Sequence, residues 1–148
     1  MSEDDKKLRL EWMDPAELAA NPKNYRRHPD AQLAALGDVI GEVGWAGACL
    51  YNERTGQLVD GHARVKIALE QGLSSVPVLV GSFEEADEAK ILATFDTITG
   101  MATIDNAAFV DLLKHVQTES EAVATMLADI AGMVNDTFAK QAEDRSEE

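Results

Sequence analysis

Side chains able to do chemistry gather at two places in this sequence. The first is the run Leu58, Val59, Asp60, Gly61, His62, Ala63, Arg64. Two apolar residues, a glycine and then a helical pattern describe a strand turning directly into a helix. The first turn of a helix exposes backbone N–H groups without intrahelical acceptors and carries the positive end of the helix dipole, which suits a phosphate. His62, Arg64 and Lys66 add donors or positive charge there. Asp60, at the strand end, has three physical uses: a metal ion, a ribose hydroxyl, or the helix N-terminus itself. Neither GxxxxGK[ST] nor GxGxxG is present, so spacing alone leaves a plain capped helix as an open alternative.

The second place is Lys23, Asn24, Tyr25, Arg26, Arg27 and His28, the densest positive patch in the chain. Arginine binds phosphate bidentately and Tyr25 offers a stacking face, so contact with a nucleotide or a single strand is physically reasonable. The alternative is a solvated loop whose arginines pair with neighbouring acids. His28, followed by Pro29, equally suits a turn. Other constellations fail. His28, His62 and His115 lack metal-ligand spacing, no G-x-S-x-G elbow or catalytic-cysteine signature occurs, and the many carboxylates form no recognisable pair. Cys49 lies in the apolar run from Ala46 to Tyr51 and reads as a small buried hydrophobe. His115 reads as a structural mid-helix residue.

These residues need elements to position them. Residues up to about Lys7 form a charged tail, followed by a strand from Leu8 to Met13 and a short helical turn and loop through DPAELAANPKNYRRHPD. Leu33, Leu36, Ile40 and Val43 predict a helix stopped by Gly44. Two short strands, Ala46 to Tyr51 and Leu58–Val59, flank the turn NERTGQ, and the helix after Gly61 carries Val65, Ala68 and Leu69 on one face before Gly72. Ser75 to Val80 predicts another strand. Ser82 with Glu85 predicts a capping box for a helix through about Phe95. Asp105 and Ser120 predict caps for two later helices, one lined by Phe109, Leu112, Leu113 and Val116, the other by Val123, Met126, Ile130, Val134 and Phe138. The class is α/β or α+β with a small mixed sheet, and AEDRSEE reads as disordered.

Thirteen Lys and Arg against 27 Asp and Glu give a net charge of −14 over 148 residues. So acidic a surface excludes a broad duplex-DNA-reading face, because backbone affinity depends on cations that neutralise phosphates. A single cysteine, an acidic N-terminus and no apolar run of about 18 residues lead to the expectation of a cytoplasmic protein outside the membrane.

The order NPKNYRRHPD, a helix ending at GEVGW, a hairpin, LVDGHARVKIALEQGLSSVPVLV and then EEADEAKILATFDTI resembles the N-terminal domain of the ParB and sulfiredoxin superfamily. More narrowly it resembles the ParB-like (ParB-like nuclease) domains of phages and mobile elements. The resemblance covers roughly Leu8 to Met101. It implies a ParB-like domain over 8–101 after a tail of 1–7, with C-terminal helices over 102–141 and an acidic tail over 142–148. That superfamily includes CTP-dependent clamps, nucleases, sulfiredoxins and free-serine kinases, which place nucleotide phosphates at the equivalent turn. The implied phosphate site is Gly61, His62, Ala63 and Arg64, with Asn24, Arg26 and Arg27 from the basic segment and Asp96 from a later box. The implied cofactor is a nucleoside triphosphate, ATP or CTP, with Mg²⁺ near Asp60 or Asp96.

The departures narrow the activity. Where ParB clamps carry Gly-Glu-Arg-Arg, His62 and Ala63 replace the acid and the first arginine, and Phe95 with Asp96 stands where a Glu-Asn box belongs. His62 also occupies the place of the sulfiredoxin cysteine, which excludes that chemistry. The expected function is a nucleotide-binding domain with weak NTPase or nuclease activity in phage or plasmid DNA metabolism, Asp60 and His62 being the catalytic candidates. An alternative is an inactive ParB-fold module whose acidic, DNA-mimicking exterior and C-terminal helices bind a protein partner or a second copy. A third is a metabolite kinase resembling free-serine kinases, with Asp60 or Glu42 as base.

Overall fold

A computed structural model describes residues 7–132. Within them one compact unit comprises 7–28 and 45–101, and a second comprises 29–44 and 102–132.

The first unit is built on four strands: β1 (Arg9–Met13), β2 (Cys49–Asn52), β3 (Gln57–Asp60) and β4 (Val76–Gly81). Their order in the sheet is β1-β4-β2-β3, with β2 parallel to β4 and the other pairs antiparallel. The hairpin β2–β3 follows from the polar turn between them, where Gly56 adopts φ +71°. A helix, here α2 (His62–Glu70), then carries the chain from the β3 edge back across β2 to β4. Such a crossover is required because β2 and β4 are parallel.

Alternation along β4 puts Val76, Val78 and Val80 on one face, all buried, where they meet Cys49, Leu58, Leu18 and the α2 residues Val65 and Ala68. Burying each such aliphatic side chain contributes about 1.5–3 kcal/mol. Ile67 is also buried on α2, whereas Leu69, expected on the inner face, is exposed. On the opposite sheet face, Leu10 and Trp12 of the edge strand β1 are largely exposed.

Helix α3 (Glu85–Gly100) follows β4. The expected capping box does not form: the Ser82 hydroxyl accepts from Arg54 Nε at 2.7 Å, and the N-cap position falls to Glu84 without a side-chain bond. The helix is held at its start by Asn52, which is fully buried. The Asn52 amide donates to Phe83 O at 3.0 Å and to Glu88 Oε1 at 3.2 Å, while its oxygen accepts from Phe83 N at 2.9 Å. Thr55 Oγ1 donates to the same Glu88 oxygen at 2.6 Å, so the buried carboxylate is satisfied without a cation. Beyond this anchor, Phe95, Ile98 and Met101 are exposed, and the helix runs five residues past the expected end at Phe95 to Gly100.

The second unit consists of α1 (Asp30–Val43), α4 (Asn106–Leu113) and α5 (Glu121–Ala131). The caps expected at Asp105 and Ser120 are present, accepting from Ala108 N at 3.1 Å and Val123 N at 3.1 Å. Gly44 ends α1 with φ +81°. Leu33, Ala35 and Gly37 are its buried residues, and Val43 is exposed. Leu113, Ala128 and Ala131 form the core with Phe109, Val116 and Leu127 around them. Leu112 and Ile130, expected among the apolar faces, are exposed. His115 lies just past the end of α4 and is exposed, so it is a surface residue and not a mid-helix one. Met133, Val134, Phe138 and the acidic C-terminal segment lie outside the described residues.

Candidate functional site

The turn between β3 and α2 is shaped by close packing. The β2–β3 ladder shifts register between Leu50 and Tyr51, so that Leu50 pairs with Asp60 but Tyr51 pairs with Leu58. The extra residue, Val59, is a bulge of the kind that re-aims a strand end. Gly61 follows with φ +93°, ψ 21° and serves as the N-cap of α2. A side chain here is excluded twice over: the conformation is left-handed, and an added Cβ would stand 2.8 Å from Cys49 Sγ and 2.9 Å from Cys49 Cα. The Cys49 thiol donates to Gly61 O at 3.7 Å. Burial pushes that thiol up to about 11, which keeps it protonated and inert, as expected of a small packed residue.

No side chain caps α2. Asp60 Oδ1 accepts from Gly61 N at 2.9 Å, one position before the helix, so the carboxylate braces the turn and leaves the N–H groups of His62, Ala63 and Arg64 free of a capping side chain. Arg64 lies against Gly47, where an added Cβ would meet its Nη2 at 3.0 Å. Among the described residues Arg64 forms no ion pair, leaving its fork available to an anion.

His62 does a different task. Its Nε2 accepts from the backbone N–H of Asn21 at 3.1 Å. A ring nitrogen that accepts carries no proton, so the neutral imidazole holds its proton on Nδ1. Burial, aided by His28 and opposed by Asp60, moves the His62 pKa below its ordinary value. This bond ties the start of the basic segment to the first residue of α2. Upstream, Leu58 N donates to Ala19 O at 2.9 Å, so the segment runs beside β3 into the turn.

Within that segment Asn24 Oδ1 accepts from Arg26 N at 3.2 Å, a local turn. Arg26 Nε meets Asp96 Oδ2 at 2.8 Å, so two expected site residues, one from the loop and one from α3, are brought together as an ion pair. The Arg26 guanidinium also lies 5.7 Å from the Tyr25 ring centre. Lys23 pairs with Glu85 at 3.4 Å, while Arg27 is exposed. Glu42 falls on α1 in the other unit, where it accepts from Thr118 Oγ1 at 2.7 Å. Among the described residues no three His, Cys, Asp or Glu side chains converge as a metal site. A Mg²⁺ arriving with a nucleotide needs few protein ligands, and the carboxylates of Asp60 and Asp96 are the two acids expected for it.

Asn21 was not expected in the site. It is 4% exposed, its Oδ1 accepts from Lys23 N at 3.0 Å, and its Nδ2 has no hydrogen-bond partner among the described residues. The sequence signal was the Asn-Pro pair opening the loop, which reads simply as a turn.

No family model matches the sequence. Over 74 residues the chain is 35% identical to the ParB-like nuclease domain-containing protein YnaK of Escherichia coli strain K12, an alignment spanning 50% of this chain and 84% of that protein. The fold is also that of ParB from Caulobacter crescentus, C-terminally truncated and complexed with CTP-gamma-S: TM-score 0.59 at 20% identity, covering 90% of this chain and 76% of that one. A Pnob8-like ParB-N domain gives 0.54 at 18% identity, covering 85% of this chain and 48% of the other. The four-stranded mixed sheet with its glycine-initiated helix is thus a ParB-like fold. The chain belongs to the family of ParB-like nuclease domain proteins.

Proposed function

We propose that the β3–α2 turn binds the phosphates of a nucleoside triphosphate, CTP or ATP with Mg²⁺, and that the protein acts in DNA metabolism of a phage or plasmid. The observation that carries this reading is the turn itself: a helix opened by a left-handed glycine, capped by no side chain, followed by Arg64, which forms no ion pair among the described residues. Gly61, His62, Ala63 and Arg64 would supply backbone N–H groups and a guanidinium to the phosphates. Asn24, Arg26 and Arg27 flank them on the segment that His62 holds in place. The ParB neighbour complexed with a CTP analogue supports a nucleotide as the ligand.

The bound cation would neutralise phosphate charge. What this chain contributes is orientation: backbone donors fixed by the packing of Gly61 on Cys49, and a basic loop fixed by the His62 acceptor. With Nε2 engaged, His62 positions the loop, and a hydrolytic step would draw instead on Asp60, whose carboxylate accepts from Gly61 N in the turn. A thermal-shift series with CTP, ATP, GTP and ADP, each with Mg²⁺, tests the reading. A triphosphate is expected to raise the melting temperature of the wild type by more than that of Arg64→Ala, and no response to any nucleotide refutes it.

A further inference from the structure

Asn21 carries the only buried side-chain nitrogen or oxygen among the described residues that has no hydrogen-bond partner. Buried polar groups are nearly always bonded, and one left without a partner is destabilising. Which edge of the amide is free follows from its neighbours: Oδ1 is taken by Lys23 N at 3.0 Å, so the unsatisfied edge is the NH₂ group, a pure donor. Its place is equally defined, because the Asn21 backbone N–H bonds to His62, the first residue of α2. The residue with the vacant donor is thus joined through its backbone to the first residue of a helix whose start carries no side-chain cap, two positions before Arg64, which forms no ion pair among the described residues.

We infer that Asn21 Nδ2 donates to a phosphoryl oxygen of the ligand held at the α2 N-terminus, making Asn21 a binding residue of that site. The inference rests on the phosphate reading above and adds to it a side-chain donor from the loop side. A donor group in a setting of backbone N–H groups and a guanidinium selects a ligand atom that only accepts, and phosphoryl oxygen is the acceptor this electrostatic setting favours.

Inorganic triphosphate, CTP and ATP, each with Mg²⁺, should be titrated into the full chain and into Asn21→Asp, which keeps the oxygen that accepts from Lys23 N and loses the donor. Calorimetry is expected to show affinity falling about tenfold or more in the variant. The Asn21 side-chain amide resonance of ¹⁵N-labelled wild type, assigned by its absence in Asn21→Asp, is expected to shift with inorganic triphosphate as well as with the nucleotides. If the wild type binds and that resonance stays still, or moves only with nucleotides, the assignment of Asn21 to phosphate is wrong while the site stands. If the wild type binds none of the three ligands, the site reading and this inference fall together.

Discussion

Replacing Gly61 by alanine tests whether the turn is fixed by packing as well as by conformation. At φ +93° an L-residue is disfavoured by about 1–2 kcal/mol. The added methyl would also lie 2.8 Å from Cys49 Sγ and 2.9 Å from both Cys49 Cα and Cβ, an overpacking that costs about 1–3 kcal/mol. Together these give roughly 2–5 kcal/mol, which for a chain of this size lowers the melting temperature by about 4–20 °C. Differential scanning calorimetry reads this directly. Two comparisons isolate the cause. Gly41→Ala, in α1 with nothing within 4 Å of the new carbon, is expected to be neutral or slightly stabilising. Cys49→Ala combined with Gly61→Ala removes only the sulfur contact and leaves the Cα and Cβ contacts, so it should not restore the loss. A Gly61→Ala protein melting within about 2 °C of wild type would refute the reasoning, since neither the left-handed backbone nor the contact with Cys49 would then constrain the turn.

Other consequences follow from individual groups. The pKa of His62 is lowered in the folded state, so the unfolded chain takes up the proton first; the associated stability is complete above the ordinary value of about 6.5 and is lost as pH falls through the folded value. Melting curves from pH 8 to pH 5 should show this loss, and His62→Gln, which keeps an acceptor for Asn21 N, should show less of it. The Cys49 thiol, buried and pushed up to about 11, should resist a thiol reagent at pH 8 in native protein and react promptly in denaturant; rapid native labelling would contradict its packing. Asn52→Ala strips partners from Phe83 and buried Glu88 and should destabilise by about 2–4 kcal/mol in chemical denaturation, whereas a change under 1 kcal/mol would deny the network its anchoring role. Asp96→Asn breaks a solvent-exposed pair with Arg26 worth at most about 1 kcal/mol, so stability should hold while phosphate affinity rises a few-fold as Arg26 is released; weaker binding would instead place Asp96 on a bound cation.

How much of this was legible in the sequence depended on the range of the interactions. The strands and helix boundaries near Met13, Gly44 and Gly72, and the caps at Asp105 and Ser120, rest on local periodicity and capping chemistry, and these signals are contained in a few consecutive residues. The mixed sheet followed from the order of those elements. The capping box at Ser82 failed because a residue 28 positions earlier, Arg54, takes its hydroxyl, a competition invisible to a local pattern. Leu69 and Ile67 differ by two positions on one short helix, and only the direction from which the sheet approaches decides which is buried. The glycine-initiated start of α2 was readable because strand, glycine and helical pattern stand in consecutive residues. The roles of His62 and Asn21 were not, since each is defined by a bond between residues 41 apart in the chain. The pairing of Arg26 with Asp96 also depends on tertiary structure, although the basic patch points to Arg26 and the family resemblance to Asp96.

In the proposed function a nucleotide's phosphates sit on the α2 N-terminus beside Arg64. Isothermal titration calorimetry of CTP and ATP with Mg²⁺ into the wild type and Arg64→Ala measures this most directly. Saturable binding of at least one triphosphate, weakened about tenfold or more in Arg64→Ala while its melting temperature stays near wild type, is the predicted result. Binding of equal strength in both proteins, or in neither, would contradict it.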